Sequence, residues 1–199
     1  MPPSDSTHTA LLIVDVQNDF CPGGALAVAN GDRVIPVLNA LIERFRGNAV
    51  YASRDWHPPD TTHFKAFGGP WPVHCVAGTP GAELHPDLRL PPDAIIVSKG
   101  QDRADDGYSA FEGSTPGGQR LPDDLRERHV TDLVVGGLAT DYCVRASVLD
   151  ARRAGLRVSV VTDAVAGITP VSTEQALDEM RRAGARLVSS RELEHRANG

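Results

Sequence analysis

The sequence predicts a three-layer α/β/α domain on a mostly parallel central sheet, and three observations carry that prediction. Short aliphatic or β-branched runs recur along the chain, most are separated by amphipathic stretches with helix start and stop signals, and the runs are continuously apolar. Continuous apolar strands are covered on both faces, and strands that alternate with helices give parallel pairing, because each parallel connection needs a long crossover.

The elements follow in order. Leu11 to Val14 is the first strand and ends at Asp15; Asn30-Gly31-Asp32 then signals a helix start before Val34 to Phe45. Ala49 to Ala52 is the second strand. The segment from Ser53 to Pro92 is rich in Pro, Gly and His and keeps neither period, so it reads as a long loop. Loops of that length inside one domain are usually functional, which marks it as a candidate binding region. Ala94 to Val97 is the third strand, followed by a second irregular stretch, Gly100 to Gly118, expected as a lid or substrate loop. Leu133 to Val135 is the fourth, after which Thr140-Asp141 opens a helix over Tyr142 to Ala154. Leu156 to Val161 is the fifth strand, Ser172 to Arg182 a helix closed by Gly184, and Arg186 to Val188 the sixth strand. Residues 10–190 are expected to form one domain, with tails at 1–9 and 191–199.

Composition narrows the function classes. The chain has 199 residues, 41% of them hydrophobic, and a folded chain of this size buries about 70% of its unfolded surface, so neither a metal nor a disulfide is needed to hold it together. With 20 Lys plus Arg against 26 Asp plus Glu, the net charge of −6 argues against nucleic acid or an anionic membrane as partner. Arg152-Arg153 and Arg181-Arg182 read as solvated helix faces. No apolar run approaches the ~20 residues of a membrane span, and Met1 to Thr9 lack the basic start of a secretory leader. Three cysteines without a C-x-x-C pair suit a reducing compartment, so the expected location is cytoplasmic.

In open α/β sheets ligands bind beyond the carboxyl ends of the strands, so the polar residues there matter most. The first strand leads to Asp15, the second to Asp55 and His57, the third to Lys99, and the fourth through Gly136-Gly137-Leu138-Ala139-Thr140 to Cys143. Taken singly, Cys143 also reads as a small buried hydrophobe, Asp15 as a sheet-end acceptor and Lys99 as a surface residue. Together, a thiol, a carboxylate able to take its proton, and a lysine that stabilises negative charge make an acyl-transfer site. The position of Cys143 near a helix start is expected to favour its thiolate. Asp55, His57, His63 and His74 offer one oxygen and three imidazole nitrogens, a set that suits one divalent Zn, Fe or Mn ion and not Mg or Ca. His85 lies outside the pattern, as do His8, His129 and His195. Cys21 and Cys75 are expected to be structural.

These residues sit in blocks: D-V-Q-N-D-F-C-P-G-G at 15–24, S-R-D-W-H at 53–57 with His63, W-P-V-H-C-V-A-G-T-P-G-A at 71–82, K-G at 99, Y-S-A-F-E-G at 108–113 and G-L-A-T-D-Y-C-V at 137–144. The blocks resemble the nicotinamidase/pyrazinamidase family of the isochorismatase-like cysteine hydrolase superfamily, over nearly the whole chain. The resemblance implies an enzyme that converts nicotinamide to nicotinate and ammonia in NAD salvage, takes pyrazinamide and other small pyridine or pyrazine carboxamides, and works as a monomer or small homo-oligomer. It implies a catalytic triad of Asp15, Lys99 and Cys143, with Cys143 as nucleophile, Asp15 as general base and acid, Lys99 as electrostatic support, and a thioester intermediate. It further implies a metal on Asp55, His57, His63 and His74 that holds the ring nitrogen. An oxyanion hole of the Ala139 and Cys143 N–H groups is implied beside a cis peptide at Leu138–Ala139. Phe20 and Trp71 would sandwich the ring, with Leu138 and Tyr108 also at the substrate. Superfamily members that act on isochorismate, N-carbamoylsarcosine or ureidoacrylate keep the triad types but lack the metal set. The segment Gln101 to Asp106 matches the family pattern least.

Overall fold

In the computed structural model, which describes residues 8–197, the strands are β1 (Thr9–Val14), β2 (Val50–Asp55), β3 (Ile95–Lys99), β4 (Asp132–Leu138), β5 (Arg157–Ala166) and β6 (Arg186–Val188). They form one sheet in the order β3-β2-β1-β4-β5-β6, and every pairing is parallel. The chain therefore winds outward from β1 to β3, returns to β4 beside β1, and winds outward again to β6. The point of reversal, between β1 and β4, leaves a crevice at the carboxyl ends of the strands.

The helices are α1 (Val34–Arg44), α2 (Leu121–Glu127), α3 (Arg145–Arg153), α4 (Pro170–Arg182) and α5 (Ser190–Ala197). Alternate residues of each strand divide between two apolar layers. Leu12, Val14, Tyr51, Val135 and Val160 pack with Leu121 and Leu125 of α2, Val148 of α3 and Met180 of α4. Leu11, Ile13, Val50, Val134 and Val161 pack with Ile35, Leu38 and Ile42 of α1 on the other face. Among the described residues no helix is long and apolar enough to cross a membrane.

Several boundaries differ from the sequence reading. β2 and β3 run on past their apolar stretches to Asp55 and Lys99, which are register partners on neighbouring strands. The ladder needs only backbone groups, so polar residues continue it where a buried partner receives them. The helix expected over Tyr142 to Ala154 begins with a π-helical turn at Thr140–Val144 and becomes regular only from Arg145. Of the expected N-terminal tail, residues 1–7 lie outside the described residues, and Thr9 already opens β1. Within the expected C-terminal tail, 191–199, the chain is helical, since α5 runs over Ser190–Ala197. Ser189 and Glu192 cap it reciprocally, the Ser189 N–H donating to Glu192 at 2.6 Å and the Glu192 N–H to Ser189 Oγ at 3.3 Å. Leu193 packs on the α1 layer. The long loop after β2 is irregular as expected, holding only short 3-10 turns at Lys65–Phe67 and Pro80–Ala82.

Candidate active site

Asp15 is the residue after β1, fully buried, and held at φ +48°, a left-handed conformation unusual for aspartate. Its N–H donates to the Ser53 carbonyl at 3.2 Å, and the Ser53 hydroxyl donates to Asp15 Oδ1 at 2.7 Å. Lys99, at the end of β3, reaches the other oxygen, with Nζ 2.8 Å from Asp15 Oδ2. The same ammonium pairs with Asp55 Oδ1, donates to the Gly107 carbonyl at 2.5 Å, and lies 3.6 Å from Cys143 Sγ. Carboxylate oxygens of Asp15 and Asp55 and the Cys143 sulfur all lie within 4.8 Å of one another.

Cys143 is brought there by the exit from β4. The β4–β5 register shifts between Val135 and Gly137, and Gly137 takes φ +122°. A Cβ at Gly137 would collide with the Val14 backbone, so only glycine allows β4 this close to the end of β1. The cis peptide expected at Leu138–Ala139 is not found; no described peptide bond is cis. The chain turns instead through Gly137, extended Ala139 and the π-helical turn, which carries Cys143 back over Asp15.

Burial and charge set the protonation states. Burial drives the Cys143 thiol well above its ordinary pKa, and the Lys99 ammonium only partly opposes it. Loss of water, together with the Asp15 and Asp55 charges, favours the protonated thiol against any helix-start dipole, the form from which Asp15 is expected to take a proton. Burial likewise raises Asp15 despite Lys99. Asp55 is buried too, but the Lys99 ammonium prevails there and holds it below the carboxylate range. For Lys99, burial works against the charge, and Asp15 and Asp55 overcome it, so the ammonium is kept.

The long loop delivers three histidines to the same place. His57, His63 and His74 are buried, and one ring nitrogen of each lies within 4.8 Å of the others. Each Nδ1 faces an acceptor: the Gly100 carbonyl at 3.1 Å for His57, Asp106 Oδ1 at 3.1 Å for His63 and the Pro72 carbonyl at 2.7 Å for His74. That pattern puts the proton on Nδ1 and the lone pair on Nε2. Burial also holds His63 and His74 below the usual imidazole pKa, which keeps them neutral. His57 Nε2 is buried without a hydrogen-bond partner, 3.7 Å from Asp55 Oδ2. A buried lone pair without a donor is costly unless something else receives it. Three neutral imidazoles beside a carboxylate are a donor set for a divalent transition metal, so these residues fit such an ion. Asp55 then belongs to both groups, one oxygen turned to Lys99 and the other to the histidines.

A cleft of about 420 Å³, counted with its open mouth, lies over this floor. Of the predicted residues, Phe20, Asp55, His63, Trp71, His74, Tyr108, Ala139 and Cys143 line it, while Asp15 and Lys99 lie buried beneath. Leu138 is placed otherwise: it is fully buried in the α1-side layer and packs toward Gly31. Trp71 Nε1 donates to the Tyr108 hydroxyl at 2.8 Å, and Tyr142 stands edge-on to Trp71 with ring centres 4.9 Å apart. Tyr142, Leu26, Val28, Ile168 and Asp106 complete the lining and were missed in the sequence. The one usable signal was adjacency, since Tyr142 precedes Cys143. No Lys or Arg lines the cleft among the described residues.

Residues 9–192 match the Isochorismatase domain family. The chain is 43% identical to the nicotinamidase of Escherichia coli, across 89% of this chain and 93% of that one. The structure resembles the pyrazinamidase of Pyrococcus horikoshii solved in complex with zinc, at 45% identity and TM-score 0.85, covering 92% of this chain and 99% of that one. It also resembles a protein from L. infantum solved in complex with nicotinate, at 34% identity and TM-score 0.84, covering 94% and 96%.

Proposed function

The chain belongs to the isochorismatase family, and on that footing we propose that it is a metal-dependent cysteine amidohydrolase that converts nicotinamide to nicotinate and ammonia and also hydrolyses pyrazinamide. The observation that carries the reading is a buried thiol, Cys143, whose sulfur lies within 4.8 Å of a carboxylate oxygen of buried Asp15 at the floor of an aromatic-walled cleft.

Phe20 and Trp71 hold the planar ring, with Tyr108 and Tyr142 closing the sides. Asp15 takes the proton from Cys143, and the thiolate attacks the carboxamide carbon. A carboxylate of raised pKa is the better base for such a transfer. The N–H groups of Ala139 and Cys143 donate to the oxyanion of the tetrahedral intermediate, each such donor contributing about 3–4 kcal/mol in other enzymes. Asp15 returns the proton to the departing nitrogen, ammonia leaves, and a thioester remains on Cys143. Asp15 then takes a proton from water as the hydroxide adds to the thioester, the intermediate expels the Cys143 sulfur, which takes that proton back from Asp15, and the acid leaves as nicotinate with its own proton released to solvent. Lys99 keeps a positive charge beside Asp15 and the sulfur throughout. His57, His63, His74 and Asp55 would hold a Zn, Fe or Mn ion, which would supply Lewis-acid chemistry at the ring nitrogen.

The lining also speaks to substrate class. A cleft whose lining charges are Asp55 and Asp106, with no Lys or Arg, suits a neutral amide better than a polycarboxylate such as isochorismate. Three free, buried cysteines suit a reducing cytoplasm, where salvage of pyridine nucleotides would run.

The test is ammonia release from nicotinamide by the purified protein as isolated, after chelation, and after return of Zn²⁺, Fe²⁺ or Mn²⁺, with Cys143→Ala as blank. Release that is lost on chelation, restored by a metal and absent in the blank is expected. No release with any metal would overturn the substrate assignment.

A further inference from the structure

The segment between Lys99 and Tyr108 has no role in the steps above, although it supplies three acceptors to them. The Gly100 carbonyl faces His57 Nδ1, Asp106 Oδ1 faces His63 Nδ1, and the Gly107 carbonyl accepts from Lys99. His74 instead finds its acceptor, Pro72, two residues away in its own loop. We propose that residues 100–107 form an outer support that sets two of the three histidines, and that Asp106 is the positioning residue for His63. The proposal rests on the reading of the three histidines as metal ligands.

The segment is built to hold this shape. Its two ends touch, since a Cβ on Gly107 would lie 2.6 Å from the Gly100 Cα, and both glycines take φ +64°. A Cβ on Gly100 would lie 2.5 Å from His57 Cε1, so the backbone lies against the ring it orients. The middle is tied to the histidine loop: the Arg103 carbonyl accepts from the Thr62 N–H at 2.8 Å and from the hydroxyls of Thr61 and Thr62 at 3.1 Å each. Asp105 accepts from the Gly107 N–H at 3.0 Å. Asp106 thus meets His63 from a fixed arm.

The burial contrast makes the role testable. The Asp106 side chain is 67% exposed and that of His63 4%. Removing an exposed carboxylate changes little in the fold, whereas His63 would lose the acceptor that fixes its ring and its proton. Loss of an outer partner of this kind weakens metal binding by about 10–100-fold.

The experiment measures Zn²⁺ affinity of the full chain by competition with a chromophoric chelator, in the wild type, Asp106→Ala, Asp106→Asn and His63→Ala, together with the thermal midpoint of each metal-free protein. Asp106→Ala is expected to bind about 10–100-fold more weakly at an unchanged midpoint. Asp106→Asn, whose amide oxygen still accepts, is expected to recover most of the loss. Asn as weak as Ala, or a lowered midpoint in Asp106→Ala, would overturn the positioning role. Wild-type affinity in Asp106→Ala with affinity lost in His63→Ala would overturn this inference alone; wild-type affinity in both would overturn the ligand assignment beneath it.

Discussion

The sheet carries a carboxylate and a cation in contact at each of its two ends, and the two pairs behave in opposite ways. At the amino end, Asp132 of β4 and Arg157 of β5 are register partners joined by Arg157 Nε to Asp132 Oδ1 at 2.7 Å, with side chains 31% and 72% exposed. At the carboxyl end, Lys99 and Asp15 meet at 2.8 Å with both side chains fully buried. Partial burial pushes Asp132 upward, but Arg157 and Thr131 outweigh it and hold the carboxyl below its ordinary range. Burial raises Asp15, and Lys99 fails to bring it back. Similar partners at similar distances thus give opposite shifts. Desolvation separates these two pairs: at the exposed end partner charge and hydrogen bonds prevail, while at Asp15 loss of water, helped by the neighbouring Asp55 charge, exceeds what Lys99 returns; Asp55, also buried, goes the other way because Lys99 outweighs desolvation there. The exposed pair is a minor contributor to stability, and the buried one is a carboxyl made more basic at the expense of stability.

The largest effect is expected from removing the buried cation. Lys99→Met leaves Asp15 and Asp55 in the interior without a counter-ion, which should cost about 3–5 kcal/mol at neutral pH in urea denaturation. Without the ammonium both folded-state pKa values rise above their unfolded values. Stability is then lost as pH rises through the folded pKa, so the deficit should shrink toward acid, where both carboxyls are protonated. A variant as stable as wild type at neutral pH would break the comparison. A smaller effect is expected from Ser53→Ala. The Ser53 hydroxyl favours ionised Asp15, so its loss raises the Asp15 pKa further. Activity needs Asp15 ionised, so the acidic limb of the pH–rate profile should move to higher pH. Turnover on that limb should fall roughly 10-fold or more, the worth of a hydrogen bond to a charged group. An unmoved limb would place the base elsewhere.

The same division explains what was legible in the sequence. Asp15, Lys99 and Cys143 stand at or beyond strand ends, and strand ends follow from apolar runs, so the six strands and the convergence of these three side chains were readable. Asp55 and the histidines were readable from residue type, because a carboxylate and three imidazoles in one irregular loop have few other uses together. The cleft walls were not, since Leu26, Val28 and Ile168 look like any core residue until tertiary packing brings their segments to the mouth. Asp106 was hidden among Asp102 and Asp105 in one short acidic run, and only the fold shows which of them faces His63. The upward shift of the Cys143 thiol was not legible for a related reason. A helix start is local and visible in sequence, whereas the removal of water is a property of the assembled interior.

The smallest effect is expected at the exposed pair, and there the pH dependence has the opposite sign to that of Lys99→Met. Asp132→Asn removes a carboxyl whose folded pKa is depressed, so its contribution is present above the unfolded value and lost as pH falls through the folded one. The gap between wild type and variant should therefore be widest at neutral pH and close in acid. Since the Arg157 side chain is largely in water, the gap should be small, about 2 °C or less in thermal midpoint, and should narrow further in molar salt. The Lys99→Met deficit, arising where salt does not penetrate, should persist in the same buffer. Thermal scans of both variants across pH and salt make the comparison directly. A salt-insensitive Asp132→Asn gap that widens in acid would show that solvent does not set the sign at this end of the sheet.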